Sequence, residues 1–515
     1  MGLNEKVCKK LEMADPKNSN HVAMFPWFGF GHFIPFLHLS NKLAEKGYKV
    51  SYLLPKGAQP KLSQLNQHPN LIHFFPLVVP HVEGLPPGAE TCSDVPYPLH
   101  DQLCTALDLT RDQVKAILAV IKPNFVLFDV AYWIPALGRE LGFKSVMYAT
   151  VCAAGHSLRL VPAMKIVKGM SFEEMMQTPP GYPSSTVVPR PDEVAQARSL
   201  AEEFGSGLSK YDRLVTSKEE SDAIALRTCR EFEGPFIDYM AQQFGKPVLL
   251  AGPVLPEDPL SQLEEKWHKW LSKFEAGSVV FCAFGSQIKL KKNQFQELLL
   301  AFELSGLPFL VALAPPEGCS TIEEAIPEGF EKRVQAKGWV YGDWVPQPQI
   351  LGHPSVGCFV SHCGFSSMWE ALQSDCQIVL APHLGDQIVN TMLLVKEHNV
   401  AVEVEREGNG WISKENLNKA IKSVMDNSSE VAQIVNTMLL AKEHNVAVEV
   451  EREGNGWISK ENLNKAIKSV MDNSSEVAKV VKSNRYKLKK VLFDENMQES
   501  YIDSFTMNLQ ALLIN

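Results

Sequence analysis

Val356-Gly-Cys-Phe-Val-Ser-His-Cys-Gly-Phe-Ser-Ser-Met-Trp-Glu370 reads as a short apolar run, a tight turn at Gly364 and the opening of a helix. An apolar run of this length, bounded by a turn, is the pattern of a strand buried on both faces. Outward from it the pattern repeats. Val279-Val-Phe-Cys-Ala-Phe284, Pro308-Phe-Leu-Val-Ala-Leu313 and Trp339-Val-Tyr341 precede it, and Gln377-Ile-Val-Leu-Ala381 follows. A second series stands in the first half of the chain: His21-Val-Ala-Met-Phe25, Lys49-Val-Ser-Tyr-Leu-Leu54 and Asn124-Phe-Val-Leu-Phe-Asp129, with a helical pattern over residues 35–46. Short strands alternating with amphipathic helices give parallel sheets covered on both faces. Two such series predict an α/β protein of two doubly wound domains.

Residues 1–250 are expected to form the first domain, 251–266 a linker carrying Pro253, Pro256 and Pro259, 267–490 the second domain, and 491–515 a final segment. Between residues 151 and 245 the pattern weakens and prolines cluster, as in Pro179-Pro-Gly-Tyr-Pro183. Such chain reads as irregular and ligand-facing.

The 515 residues are 45% hydrophobic and 21% charged, with a net charge of −9. That length exceeds one ordinary core, and the charge opposes a general nucleic-acid binder, which needs a dominant basic surface. Ten cysteines are scattered singly, without the close pairs of a zinc or redox site. Residues 1–20 lack the apolar core of a secretory signal, and the longest apolar runs are too short for a bilayer. A cytoplasmic, monomeric protein without a transmembrane segment is expected.

Residues 387–432 and 433–478 are the same sequence except for Val395 against Ala441. Each copy reads as helix (388–397), strand (400–404) and helix (413–425 in the first copy). A structural array needs about three stacked units, so two abutting copies read instead as a tandem duplication or an assembly error. Only one copy can occupy a given place in a core. A sheet extended by one parallel strand would accommodate both.

The first strand runs into Phe25-Pro-Trp-Phe-Gly-Phe-Gly-His-Phe-Ile-Pro35. A dinucleotide loop is opposed by Ile34 where a third glycine belongs, and by Pro55-Lys56 where an acid would hold a ribose. What the loop carries is His32, just past a strand's carboxyl end. Asp129 ends the fourth strand, and strands one and four are neighbours in doubly wound order, so the two side chains can meet. An imidazole held by a carboxylate is a general base near neutral pH. A capping imidazole and a structural carboxylate are the plain alternatives, and position alone does not choose.

In the second half, Trp344-Val-Pro-Gln-Pro-Gln-Ile-Leu-Gly-His353 leads into the stretch quoted first. Free N–H groups where a helix opens after Gly364, with the Ser366 and Ser367 hydroxyls, suit a diphosphate. Trp344 offers a face to a planar base, Glu370 can accept from ribose hydroxyls, and Asp386-Gln387 can hold sugar hydroxyls. Tryptophans and capping serines are commonly structural. Their ordered spacing is what points to a nucleotide-sugar.

These residues resemble the plant secondary-product glycosyltransferase box, the signature of family-1 UDP-sugar glycosyltransferases, which would run here over residues 344–387. Trp344, Pro346, Gln347, Ile350, Leu351, His353, Gly357, Phe359, His362, Cys363, Gly364, Ser367, Glu370, Pro382, Asp386 and Gln387 fall in register. The resemblance implies the GT-B fold, with two Rossmann-like domains facing a cleft and a final helix returning to the first. It implies an inverting reaction with no metal or other cofactor. His32 matches the catalytic base and Asp129 its partner. Trp344, Val345, Gln347 and Glu370 match uridine contacts, and His362, Gly364, Ser366 and Ser367 the diphosphate site, with Ser286 nearby. Phe365, Asp386 and Gln387 match the surroundings of the donor sugar.

The box usually reads Trp-Asn where Phe365-Ser366 stand here. Phe365, Val82-Glu-Gly-Leu-Pro-Pro-Gly-Ala-Glu-Thr91 and Phe244-Gly-Lys-Pro-Val-Leu-Leu-Ala-Gly-Pro253 resemble a subgroup that adds a sugar to the sugar of a flavonoid or anthocyanin glycoside. The expected partners are therefore a UDP-sugar donor (glucose, xylose or rhamnose, with glucose first) and a small glycoside acceptor. Two rivals stand beside this reading: a UDP-sugar or flavonoid-binding homologue impaired by the duplication, and a Rossmann oxidoreductase.

Overall fold

Unbroken apolar strands need cover on both faces, and the helices between them supply it. The computed structural model describes residues 20–255, 263–285, 288–398, 400–407, 410–425 and 489–514. The chain divides into two compact units, Met1–Pro256 with Glu495–Asn515, and Glu257–Asp494.

In the first unit the described chain runs through β1 (His21–Phe25), α1 (Phe30–Glu45), β2 (Lys49–Pro55), β3 (Ile72–Leu77), α2 (His100–Leu109), α3 (Arg111–Ile121), β4 (Phe125–Phe128), α4 (Ile134–Leu141), β5 (Lys144–Ala149), α5 (Ala153–Arg159), α6 (Lys210–Glu220), β6 (Ala223–Leu226), α7 (Arg230–Phe244) and β7 (Val248–Leu250). All seven strands are parallel, in the order β3-β2-β1-β4-β5-β6-β7. The reversal of order lies between β1 and β4, the point at which such sheets place ligands beyond their carboxyl ends.

The second unit holds β8 (Val279–Ala283), α8 (Lys292–Ser305), β9 (Phe309–Ala312), β10 (Gly338–Tyr341), α9 (Gln347–Leu351), β11 (Val356–Ser361), α10 (Phe365–Gln373), β12 (Gln377–Leu380), α11 (Gly385–Met392), β13 (Val402–Glu403) and α12 (Lys414–Met425). Its sheet is also parallel, in the order β10-β9-β8-β11-β12-β13, with the switch between β8 and β11. β11 slips register against β8 between Val356 and Cys358. The residue there is Gly357, and any Cβ on it would fall on the Gly277 carbonyl, so only glycine admits this approach. The last helix, α13 (Glu495–Leu512), belongs to the first unit, where it packs on β7 and α1.

Three expectations need correction. The helix after β1 begins at Phe30 and not at Pro35, so His32 lies in its first turn rather than in a loop. Pro35 marks no boundary there: it is the sixth residue of the helix, and although it cannot donate to the Gly31 carbonyl, the helix runs on through it to Glu45. The stretch 151–245 is less irregular than its prolines implied: it contains α5, α6, β6 and all of α7. β6 is the four-residue Ala223-Ile-Ala-Leu226, short enough to be lost beside its Ser- and Glu-rich approach. In the first repeat copy the helix widens after Met392 into a π-helical turn, Leu393–Glu397, and only Val402–Glu403 pair with β12. That copy supplies α11, β13 and α12, and the second copy lies outside the described residues.

Candidate active site

Asp129 follows β4 directly, at the carboxyl end of the sheet beside β1, and its side chain is almost wholly buried. A buried carboxylate needs partners for its lone pairs. Its Oδ1 accepts the N–H of Trp27 at 2.7 Å and that of Val130 at 2.8 Å. Its Oδ2 stands 2.5 Å from Nδ1 of His32. Trp27 belongs to the turn between β1 and α1, so one segment both clamps the carboxylate and delivers the imidazole.

An ionised carboxylate only accepts, so Nδ1 carries the proton and Nε2 keeps its lone pair. The His32 side chain retains 25% of its surface against 5% for Asp129. The pair therefore has a buried orienting end and an accessible basic end, the geometry of a general base. This juxtaposition removes the capping alternative for His32: the α1 N-cap is Gly29, with no side-chain cap bond. Thr150, which sequence reasoning missed, places its hydroxyl 3.2 Å from the same Nδ1. Only the sheet order reveals it, since its sequence neighbourhood signals nothing.

In the second unit the turn after β11 is strained. Cys363 adopts a left-handed φ of 63°, uncommon for a residue with a Cβ. Asn390 of α11 braces it, donating from Nδ2 to the Cys363 carbonyl at 2.9 Å. Gly364 then caps α10 with an extended backbone and no side-chain cap bond, and a helix start of this kind presents N–H groups suited to an anion. Beside this turn lies His362, whose ring occupies the space where a Cβ on Gly285 or Gly364 would stand. Burial, with His383 adding to it, pushes the His362 imidazole down to about 3, so it stays neutral at ordinary pH. His383, also missed, is pushed down to about 4 by burial and packs against Phe284 at 5.1 Å.

The other expected donor residues fall around the same strand ends. Gln347 donates from Nε2 to Glu370 Oε2 at 2.7 Å and to Ser367 Oγ at 3.0 Å, joining α9 to α10. Trp344 is 73% exposed, whereas Val345 beside it is buried. Phe365 is buried and meets Trp369 edge-on at 6.1 Å. Asp386 and Gln387 open α11, and the Gln387 oxygen accepts the N–H groups of His383 at 2.9 Å and Leu384 at 3.0 Å. That oxygen is therefore spent on the loop after β12. Ser366 sits in the first turn of α10, and Ser286 lies outside the described residues.

Two Rossmann-like units, one ending its switch point in a held imidazole and the other in a glycine-capped helix start, define a GT-B glycosyltransferase architecture. Comparison with known proteins gives the same class. The pattern of the family described as UDP-glucoronosyl and UDP-glucosyl transferase matches residues 236–447. UDP-glycosyltransferase 79B6 of Arabidopsis thaliana is 55% identical over 412 residues, 80% of this chain and 90% of that one. The Arabidopsis thaliana anthocyanidin 3-O-glucoside 2'''-O-xylosyltransferase is 53% identical over 427 residues, 82% of this chain and 91% of that one. Among solved structures, Medicago truncatula UGT71G1 complexed with UDP-glucose shares the fold with a TM-score of 0.70 at 21% identity, covering 97% of this chain and 100% of that one. The chain belongs to the UDP-glycosyltransferase family.

Proposed function

We propose that this glycosyltransferase moves a sugar from a UDP-sugar, with inversion, to a sugar hydroxyl of a flavonoid or anthocyanin glycoside. The observation that carries the mechanism is the 2.5 Å contact between His32 Nδ1 and Asp129 Oδ2, which leaves Nε2 free to take the acceptor proton. As the oxygen attacks the anomeric carbon, UDP departs from the opposite face through an oxocarbenium-like transition state. Positive charge gathers on His32 and is met by Asp129. Negative charge gathers on the diphosphate and is met by the N–H groups at the start of α10 and the Ser366 and Ser367 hydroxyls. The neutral His362 adds hydrogen bonding without a charge of its own. Trp344 stacks the uracil, Gln347 and Glu370 hold the ribose, and Asp386 and Gln387 orient the donor sugar.

The acceptor class rests on the Arabidopsis relative named for xylosyl transfer to an anthocyanidin glucoside. UDP-glucose is the first donor proposed and UDP-xylose the second. The reaction as proposed needs no metal, because the helix start meets the leaving charge. A monomer in the cytoplasm is also proposed. In its support, no helix among the described residues is long and apolar enough to cross a membrane. No observation favours the reading of an impaired binding protein.

The test is a panel of UDP-sugars against flavonoid aglycones and their 3-O-glucosides, with and without EDTA. Transfer to the glucosides, unchanged by EDTA, is the expected result. Transfer to aglycones alone would overturn the acceptor class. Loss of activity in EDTA restored by manganese would overturn the metal-free mechanism.

A further inference from the structure

The Thr150 hydroxyl is unused in the reaction as derived, yet it faces the base. It directly follows β5 and is buried, with Oγ1 at 3.2 Å from the Nδ1 that Asp129 already holds. The strand order β1-β4-β5 explains the meeting: the helix after β1 brings an imidazole, the end of β4 a carboxylate, and the end of β5 a hydroxyl. Nδ1 carries the proton, so the threonine oxygen is an acceptor and Nδ1–H is shared between two oxygens.

We propose that Thr150 is a positioning residue for the catalytic base: a second acceptor that fixes the plane of the His32 ring and strengthens Nε2 as a base. The inference rests on the reading of His32 as that base. Asp129 Oδ1 is occupied by the N–H groups of Trp27 and Val130, so the carboxylate offers the ring only Oδ2. A single hydrogen bond leaves the ring free to rock about it. A second acceptor beside the same proton removes that freedom. Its effect grows as the reaction proceeds, because Nδ1–H becomes a stronger donor in the imidazolium and charge-assisted hydrogen bonds are the stronger kind. The other ionisable groups facing the pair are Tyr52 and Cys92. Burial raises the Tyr52 phenol far above its usual range and pushes the Cys92 thiol up to about 12, so both stay neutral; Lys210 acts on Cys92.

The test compares Thr150→Val, which keeps the shape and removes the hydroxyl, with Thr150→Ser, which keeps the hydroxyl. For Thr150→Val, kcat should fall about 3- to 10-fold while KM for donor and acceptor stays within about twofold, a modest share of what a general base contributes. The acid limb of its kcat–pH profile should move to lower pH. Thr150→Ser should return kcat to within about twofold of the parent. Three results would each overturn the proposal: unchanged kcat and pH profile in Thr150→Val, a raised KM for UDP-sugar with kcat intact, or a serine variant as slow as the valine one. A parent chain that transfers to glycosides, together with any of these, confines the failure to Thr150. A parent with no transfer from any UDP-sugar would sink the base reading and this inference together.

Discussion

At the residue scale the proposed chemistry turns on the arrangement of one carboxylate. Asp129 holds two backbone N–H groups on one oxygen and His32 on the other. Asp129→Asn should keep the shape but can present an N–H to Nδ1, turning the imidazole to the wrong tautomer. We expect kcat to fall by about two to four orders of magnitude, as for His32→Ala, with donor affinity nearly unchanged. Titration of UDP into each variant by calorimetry, beside the turnover assay, checks both halves; full turnover in either variant would remove the base from His32. The pair was legible in the sequence because strand order follows from the α/β pattern, and order brings the ends of β1 and β4 together. Thr150 was not, since a threonine after a strand carries no mark until β5 is seen beside β4. His383 was hidden for a similar reason: a histidine after an apolar run looks like any loop residue until its ring is seen packed against Phe284.

At the scale of elements, the close approach of β8 and β11 sets the strand ends that carry Cys363 and Gly364. Gly357 lies in the register slip between them, against the Gly277 backbone. Gly357→Ala should force the strands apart and cost about 3 kcal/mol or more, in the range of severe backbone strain. Urea unfolding of the purified variant checks this, and a midpoint equal to the parent's would show that the sheet yields easily. Strands of the second unit were read well because their apolar runs are long relative to their ends, whereas β3, β5 and β7 of the first went unplaced: β3 and β5 carry polar residues within the run, and β7 has three residues. The helix boundary at Phe30 was misplaced by giving Pro35 the weight of a start signal, as a proline in the first turn would be. β6 escaped notice because four residues are too few to establish a period.

At the scale of the whole molecule, burial of imidazoles makes stability depend on pH. His21, His100 and His383 are pushed down to about 4, and His38 and His362 to about 3, in each case chiefly by burial; His156 is lowered well below its usual value by the same cause. An unfolded chain takes up these protons near 6.5, the folded chain only near 3 to 4. Below about pH 6.5 the unfolded state binds more protons, so stability that is complete above that pH is lost as pH falls toward 4. Thermal melts at constant ionic strength should show Tm dropping steadily from pH 7 to 4.5, and a flat Tm would contradict it. The repeat offers a second test at this scale. Removing either 387–432 or 433–478 gives the same chain except for Val395 or Ala441 at one place. Because one copy already supplies α11, β13 and α12, the shortened chain should retain transfer activity and melt no lower than the full one. Loss of activity on shortening would show that both copies are needed.

Helix α13 is tied to residues from the first half of the chain. Lys46 pairs with Asp503 at 2.6 Å, Gln510 donates to Tyr48 Oη at 2.9 Å, and Tyr501 Oη accepts the Arg230 N–H at 2.9 Å. The second unit is thus threaded into the first as a guest between two lengths of its host. A ribosome making this protein releases the host's closing piece last, so the earlier sheet waits through the guest's entire synthesis with that flank bare. A nascent chain stalled before Glu495 should be caught by chaperones and proteases that a finished one escapes.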